Sequence, residues 1–145
     1  MAIDLRLISS GGQWTQSEKD TSLSGSIPVS TPADTWVDVL SVNEECLVLN
    51  AGVRRDLNST GTTSIRIVRD GVEFGVASSS SVSNKTGSAL VGRWATYSES
   101  TFTLIGDPTQ LHCRESLLVQ VKNSVVTTTP SDGLYSIDYS KGEMK

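Results

Sequence analysis

The chain has 145 residues, a formal net charge of −4, and 19% charged residues. That charged share sits below the ordinary ~25% of soluble domains, and hydroxyls fill the gap: there are 23 Ser and 15 Thr. One domain of this length buries enough surface to fold without a metal or disulfide staple. No basic stripe could neutralise a run of phosphates, so nucleic acid is not an expected partner, and no apolar run is long enough for a membrane-spanning helix.

In chain order, Ile3-Asp4-Leu5-Arg6-Leu7 alternates apolar and charged residues, as a half-buried strand does. Charges inside this short run argue against a secretory leader, so the expectation is synthesis in the cytoplasm, or a mature form whose leader has been removed. Ser9-Ser10-Gly11-Gly12 then makes a flexible joint. Residues 1–14 therefore read as an N-terminal strand or arm, and 15–145 as a single domain. The arm could pair with a neighbouring molecule's sheet edge, or be an ordinary edge strand of its own sheet.

The run from Trp36 to Val42 is rich in β-formers, and the one from Cys46 to Val53 is almost wholly apolar, as in a strand buried on both faces. Asn43-Glu44-Glu45 between them reads as a hairpin turn. Ile65-Arg66-Ile67-Val68-Arg69 alternates, and Asp70-Gly71 leads into a return run at Val72. Asp-Gly between two such runs signals a type I′ hairpin, because both central residues need positive φ.

The serine-rich stretch 78–88 reads as a long surface loop with nothing to bury. Leu90 to Tyr97 suits a short strand or a helical turn. Thr101 to Ile105, Gln110 to Cys113 and Ser116 to Asn123 follow as strands, with a turn at Gly106-Asp107-Pro108-Thr109. The last strand spans Leu134 to Tyr139, before a polar tail that should fray. No stretch shows helical periodicity with caps at both ends.

These patterns predict an all-β fold: an antiparallel β-sandwich, jelly-roll-like, of eight to ten strands. The expected core residues are Trp36, Leu40, Val42, Leu47, Leu49, Ile65, Ile67, Phe102, Leu104, Leu117, Val119 and Val121.

Catalytic sets are hard to assemble. His112 is the only histidine, and its neighbour Cys113 must point to the opposite face of a strand, which leaves only Cys46 as a formal thiol partner. The two cysteines read as buried thiols packed as small hydrophobes, with a disulfide between neighbouring strands as the sharper alternative. The carboxylates read as solvated, the loop 56–61 lacks the acidic ladder of a calcium site, and no cofactor motif is present. Asn58 and Asn84 begin tripeptides that match the glycosylation pattern by chance and mark exposed loops. Tyr135 and Tyr139 share a strand face around Ile137, which would suit a sugar-stacking platform.

An I-x-I-V-x-D-G hairpin at Ile65-Arg66-Ile67-Val68-Arg69-Asp70-Gly71 precedes an S-L-x-V-x-V-K-N strand at Ser116-Leu117-Leu118-Val119-Gln120-Val121-Lys122-Asn123. In this order the two motifs are similar to those of small β-sandwich structural proteins of tailed bacteriophages, over about half of the chain. The resemblance implies a non-enzymatic virion component. A capsid decoration protein that binds the major capsid protein lattice and stabilises the head comes first, and a tail or head-fibre protein second. It also implies a homo-oligomer, with a trimer the first choice. A carbohydrate-binding module is the reading from another class. Partner contacts are expected at Ile3, Leu5 and Leu7 of the arm, and at Trp14, Trp94 and Tyr97, which stand among polar residues at segment edges.

Overall fold

The structure is a computed structural model that describes residues 3–4, 13–55, 61–80, 86–92, 103–104 and 110–144. Among them the only helical element is a short 3₁₀ turn, Pro130–Asp132. The strands are β1 (Ile3–Asp4), β2 (Trp14–Gln16), β3 (Thr21–Ser26), β4 (Val37–Val42), β5 (Cys46–Arg55), β6 (Thr62–Arg69), β7 (Val72–Ser80), β8 (Thr86–Val91), β9 (Thr103–Leu104), β10 (Leu111–Cys113), β11 (Leu117–Asn123) and β12 (Leu134–Met144).

They make the expected all-β sandwich. One sheet runs β1-β2-β12-β5-β8-β9, with β3 branching from β12 and β10 from β5; the other runs β4-β11-β6-β7. The two paths hold six and four strands, and β3 and β10 are the two branches off the longer one. Every pair is antiparallel except β8–β9. The larger sheet is built on two long central strands. Along one edge of β12, β3 pairs with 134–139 and β2 with 142–144. Along the outer edge of β5, β10 pairs with 46–48 and β8 with 51–55.

Period-2 alternation places the core between the sheets. Leu117, Val119 and Val121 of β11 and Ile65 and Ile67 of β6 point inward, against Val48, Val53 and Ile137 of the facing sheet. Each such side chain, fully buried, contributes about 1.5–3 kcal/mol. In β5 the inward set shifts parity. Cys46 and Val48 belong to the core, then Ala51 and Val53. The pairing with β12 steps from Val48 to Asn50 across one residue, leaving Leu49 as an extra residue in a bulge. This bulge, together with cover on the outer face, produces the nearly continuous apolar run expected of a doubly buried strand.

The same parity carries Arg55 inward at the end of β5, where it is fully buried. Thr63 and Asn123, cross-strand partners on β6 and β11, meet it there. Arg55 Nη1 donates to Thr63 Oγ1 and Asn123 Oδ1 at 3.1 Å each and to the Asp132 carbonyl at 2.6 Å. Asn123 Nδ2 donates to Thr127 Oγ1 at 2.7 Å. Asp132 receives the Thr128 hydroxyl at 2.7 Å and the backbone N–H groups of Thr128 and Thr129, fixing the loop that closes this end of the sandwich. A buried cation without such partners would be prohibitively costly; here its acceptors come from three separate parts of the chain.

The Asp70-Gly71 hairpin forms as anticipated, with φ of 51° and 83° and Arg69 paired with Val72. Asp70 also has a tertiary role. Its carboxylate accepts the backbone N–H groups of Arg114, Glu115 and Ser116 at 3.2, 2.7 and 3.1 Å, which ties the hairpin to the β10–β11 turn.

Several expectations are corrected. Asn43-Glu44-Glu45 is not a hairpin turn: β4 and β5 lie in different sheets, so these residues carry the chain across the sandwich. Both flanking runs are apolar, and local sequence does not distinguish a crossover from a hairpin. The serine stretch is not all loop, because 78–80 pair with 62–64 in β7 and Thr86 opens β8. Ser79 and Ser88 are buried. The Ser88 hydroxyl donates to the Ser78 carbonyl at 2.5 Å, so serine enters the interior with its hydrogen bonds met. The tail does not fray after Tyr139, because β12 continues to Met144 and Ser140 is fully buried. Phe102 and the turn 106–109 lie outside the described residues.

Two outcomes follow. Arg55→Ala removes the buried donor shared by Thr63, Asn123 and the Asp132 carbonyl and should cost about 3–5 kcal/mol in urea unfolding. Burial raises the Asp70 pKa, but the N–H groups of Glu115, Ser116 and Arg114, with Arg69 nearby, more than offset this and hold it below the usual carboxylate range. A depressed carboxyl contributes stability that is complete above the unfolded value, about 3.9, and is lost as pH falls through the folded value. Asp70→Asn, which still tolerates the left-handed backbone, should therefore cost ~1 kcal/mol at pH 7. The difference from the parent should shrink toward zero on acidification, as read by urea melts across pH.

Candidate functional site

Two surface features bring chemistry-bearing side chains together, one on the outer face of each sheet. On the larger sheet, Glu45, His112, Arg114 and Met144 line an open cleft of about 420 Å³. β10 pairs with the start of β5 so that His112 faces Leu47 across the ladder, while Glu45 immediately precedes β5. His112 Nε2 and Glu45 Oε2 stand 2.6 Å apart, and the same oxygen accepts the Met144 N–H at 3.0 Å. One carboxylate oxygen thereby joins β10, β5 and the end of β12. The Trp14 ring stands edge-on to the His112 ring, at 5.8 Å between centroids and 75° between planes. Arg114 adds a guanidinium at the rim, on the turn that Asp70 holds. Around this end Lys141 lies 3.5 Å from Glu18 and 3.6 Å from Glu44. Attraction first to Glu44 and then to Glu18 raises its pKa.

This constellation can orient an imidazole and present a guanidinium to an anionic group. It does not pair the imidazole with a thiol. Cys46 and Cys113 belong to the core cluster on the inner face of the sheet, and His112 lies on the outer face. The formal His112–Cys46 combination is thus separated by the sheet itself. Among the described residues no three His, Cys, Asp or Glu side chains converge as metal ligands, and no helix is long and apolar enough to cross a membrane.

The second feature is the outer face of the four-stranded sheet. The Trp36 ring carries the Arg66 guanidinium 4.3 Å and the Lys122 ammonium 4.8 Å from its centroid. Arg66 also donates to Gln120 Oε1, with Nε at 2.9 Å, and lies 3.7 Å from Glu73. Gln120 in turn donates to Asp38 at 2.7 Å. Val68 and Leu118, paired across β6 and β11, lie half-buried on the same face. Val76, opposite Arg66 on this face, is 38% exposed. The side chains of this face are held by one another and are apolar toward the hairpin. Trp36, expected in the core, instead lies outside beneath two cations.

The anticipated contact residues separate. Ile3 pairs with Thr15 in β1–β2, so this part of the arm adds to the chain's own sheet. Trp14 is a correction: it is fully buried, with Nε1 donating to Ser140 Oγ at 2.9 Å, and its ring packs against His112 on the outer face of the larger sheet instead of standing at an exposed rim. Its polar sequence neighbours disguised an indole whose single N–H finds a hydroxyl 126 positions away. Leu5, Leu7, Trp94 and Tyr97 lie outside the described residues, as do Asn58 and Asn84. Tyr135 and Tyr139 do share a face with Ile137, but it is the core face. Tyr139 is 8% exposed, and Tyr135 packs against the core over Gly25, so the pair makes no stacking platform.

Sequence reasoning missed Glu45, which reads as a turn charge, and the Trp36 cation stack. The alternation of Arg66 with Ile65 and Ile67, and of Gln120 and Lys122 with Val119 and Val121, was the available signal for an outward polar row. No protein-family model matches the chain, and no curated protein or solved structure matches it either.

Trp14→Phe keeps most of the buried ring but orphans the Ser140 hydroxyl. It should cost about 1–3 kcal/mol in chemical unfolding, and Ser140→Ala in that background should recover part of the loss.

Proposed function

We propose that the chain is a non-enzymatic structural protein of a tailed-phage virion, a capsid decoration protein that binds the major capsid protein lattice and stabilises the head. It would be made in the host cytoplasm and incorporated into the particle as a homo-oligomer, with a trimer as the first choice. The observation that carries this reading is the outer face of the four-stranded sheet. The two motifs that resemble phage sandwich proteins form β6, its hairpin and β11, and these strands present that face. Trp36 and Arg66 are residue types that dominate binding hot spots. Their mutual restraint by Lys122, Gln120, Asp38 and Glu73 lowers the side-chain entropy lost on docking. Repetition over a lattice would multiply weak contacts into stable attachment. A tail or head-fibre role uses the same surface with a different partner.

Co-sedimentation with undecorated capsids tests the proposal, and light scattering on the free protein tests the trimer. Wild-type protein should pellet with capsids. Trp36→Ala combined with Arg66→Ala should weaken binding at least about tenfold, about 1.4 kcal/mol, while the variant keeps its wild-type circular dichroism. No pelleting by the wild type, or full binding by the double variant, would reject this surface and this role.

A further inference from the structure

Cys46 and Cys113 face each other directly. They are register partners in the antiparallel β5–β10 pair, both are fully buried, and both are free thiols. Directly opposed residues in an antiparallel pair have Cα atoms about 4.5–5.5 Å apart, inside the roughly 4.4–6.8 Å span of disulfide-bonded cysteines. The register therefore places the two residues at a spacing that a disulfide can span. We propose that the pair is a redox-convertible site, at which a small-molecule disulfide of the oxidised-glutathione class links Cys46 to Cys113 across the ladder.

The chemistry balances as two exchanges. One cysteine gives up its proton, and its sulfur attacks the small disulfide. That S–S bond breaks, and the departing small thiolate takes the proton, leaving a mixed disulfide. The second cysteine, likewise deprotonated, attacks the protein-bound sulfur and expels the second small thiol. Two protein thiols are oxidised, and one small disulfide is reduced to two thiols.

The closed sheet resists the first exchange. The Cys113 thiol is pushed far up by its hydrogen bond with Cys46, by burial, and by the nearby negative charge of Asp70, and a thiol held protonated is a poor nucleophile. Access therefore comes from lifting β10, a strand of only three residues, or from oxidation before β10 docks. Once formed, the bond pins β10 to β5. His112 precedes Cys113 and Glu45 precedes Cys46, so oxidation on the inner face clamps the His112–Glu45 contact on the outer one. This inference is independent of the virion reading.

The test is refolding of the full chain from denaturant in an oxidised-glutathione buffer, beside an identical sample in reducing buffer. The oxidised sample should be monomeric on a non-reducing gel, with no thiol open to alkylation after denaturation. Its mass should fall by two hydrogens, a peptide joining Cys46 to Cys113 should appear on digestion, and its thermal midpoint should rise above that of the reduced sample. Cys46→Ser should yield no internal bridge. Two alkylatable thiols after oxidative refolding, glutathione retained on a single cysteine, a bridge between chains, or a lowered thermal midpoint would each overturn the proposal.

Discussion

Seven of the ten residues of strand β5 are buried, and the rest of the sandwich is arranged around that constraint. Its edges are taken by β12 on one side and by β10 and β8 on the other. Its inner side chains meet β6, β7 and β11, and its outer side chain Leu47 is fully buried as well. A bulge at Leu49 lets one strand serve both halves of the core, because the extra residue moves the inward set from even to odd positions. Without that step Ala51 and Val53 would point away from the facing sheet, and Arg55 would be an ordinary surface charge. The bulge is thus the local cause of a distant feature, the buried guanidinium that fastens Thr63, Asn123 and the 128–132 loop at the far end.

The two ends of β5 have different characters. At Arg55 the sandwich is closed by a polar network whose members are useful only together, since each acceptor is buried and each serves the same cation. At Cys46 it is closed by the short strand β10, whose alternation sends a thiol inward and an imidazole outward. The inner thiol pair and the outer His112–Glu45 contact therefore share one backbone ladder. Asp70 reinforces this end from the opposite sheet by gathering the N–H groups of 114–116, so the hairpin of the smaller sheet steadies the rim of a cleft on the larger one.

The exposed side-chain chemistry of this scaffold lies on the outer faces. The cleft offers an oriented imidazole and a guanidinium but keeps the thiols behind the sheet. The four-stranded sheet offers a wider, self-supported array around Trp36, whose side chains restrain one another. That array arises because β6 and β11 alternate in register: Ile65 and Ile67 on one strand and Val119 and Val121 on the other commit their inner faces to the core, which leaves Arg66, Gln120 and Lys122 outside as neighbours.

The alternating residues of β6 and β11, the positive-φ demand of Asp70-Gly71 and the absence of capped helical periods were enough, from the sequence by itself, to determine an all-β sandwich and its one clear hairpin. These are local properties, decided by spacing along a few residues. Only the tertiary structure decided that Glu44 and Glu45 bridge two sheets, that Trp14 is interior and Trp36 is not, and that serines 79 and 88 are buried. Each of these depends on a partner far away in the chain: Ser140 for Trp14, Arg66 and Lys122 for Trp36, and the crossing strands for the turn. An amphipathic side chain such as indole is content on either side of a sheet, and a hydroxyl enters the core once its hydrogen bond is supplied. Pairing between distant segments, which spacing alone does not encode, makes that choice.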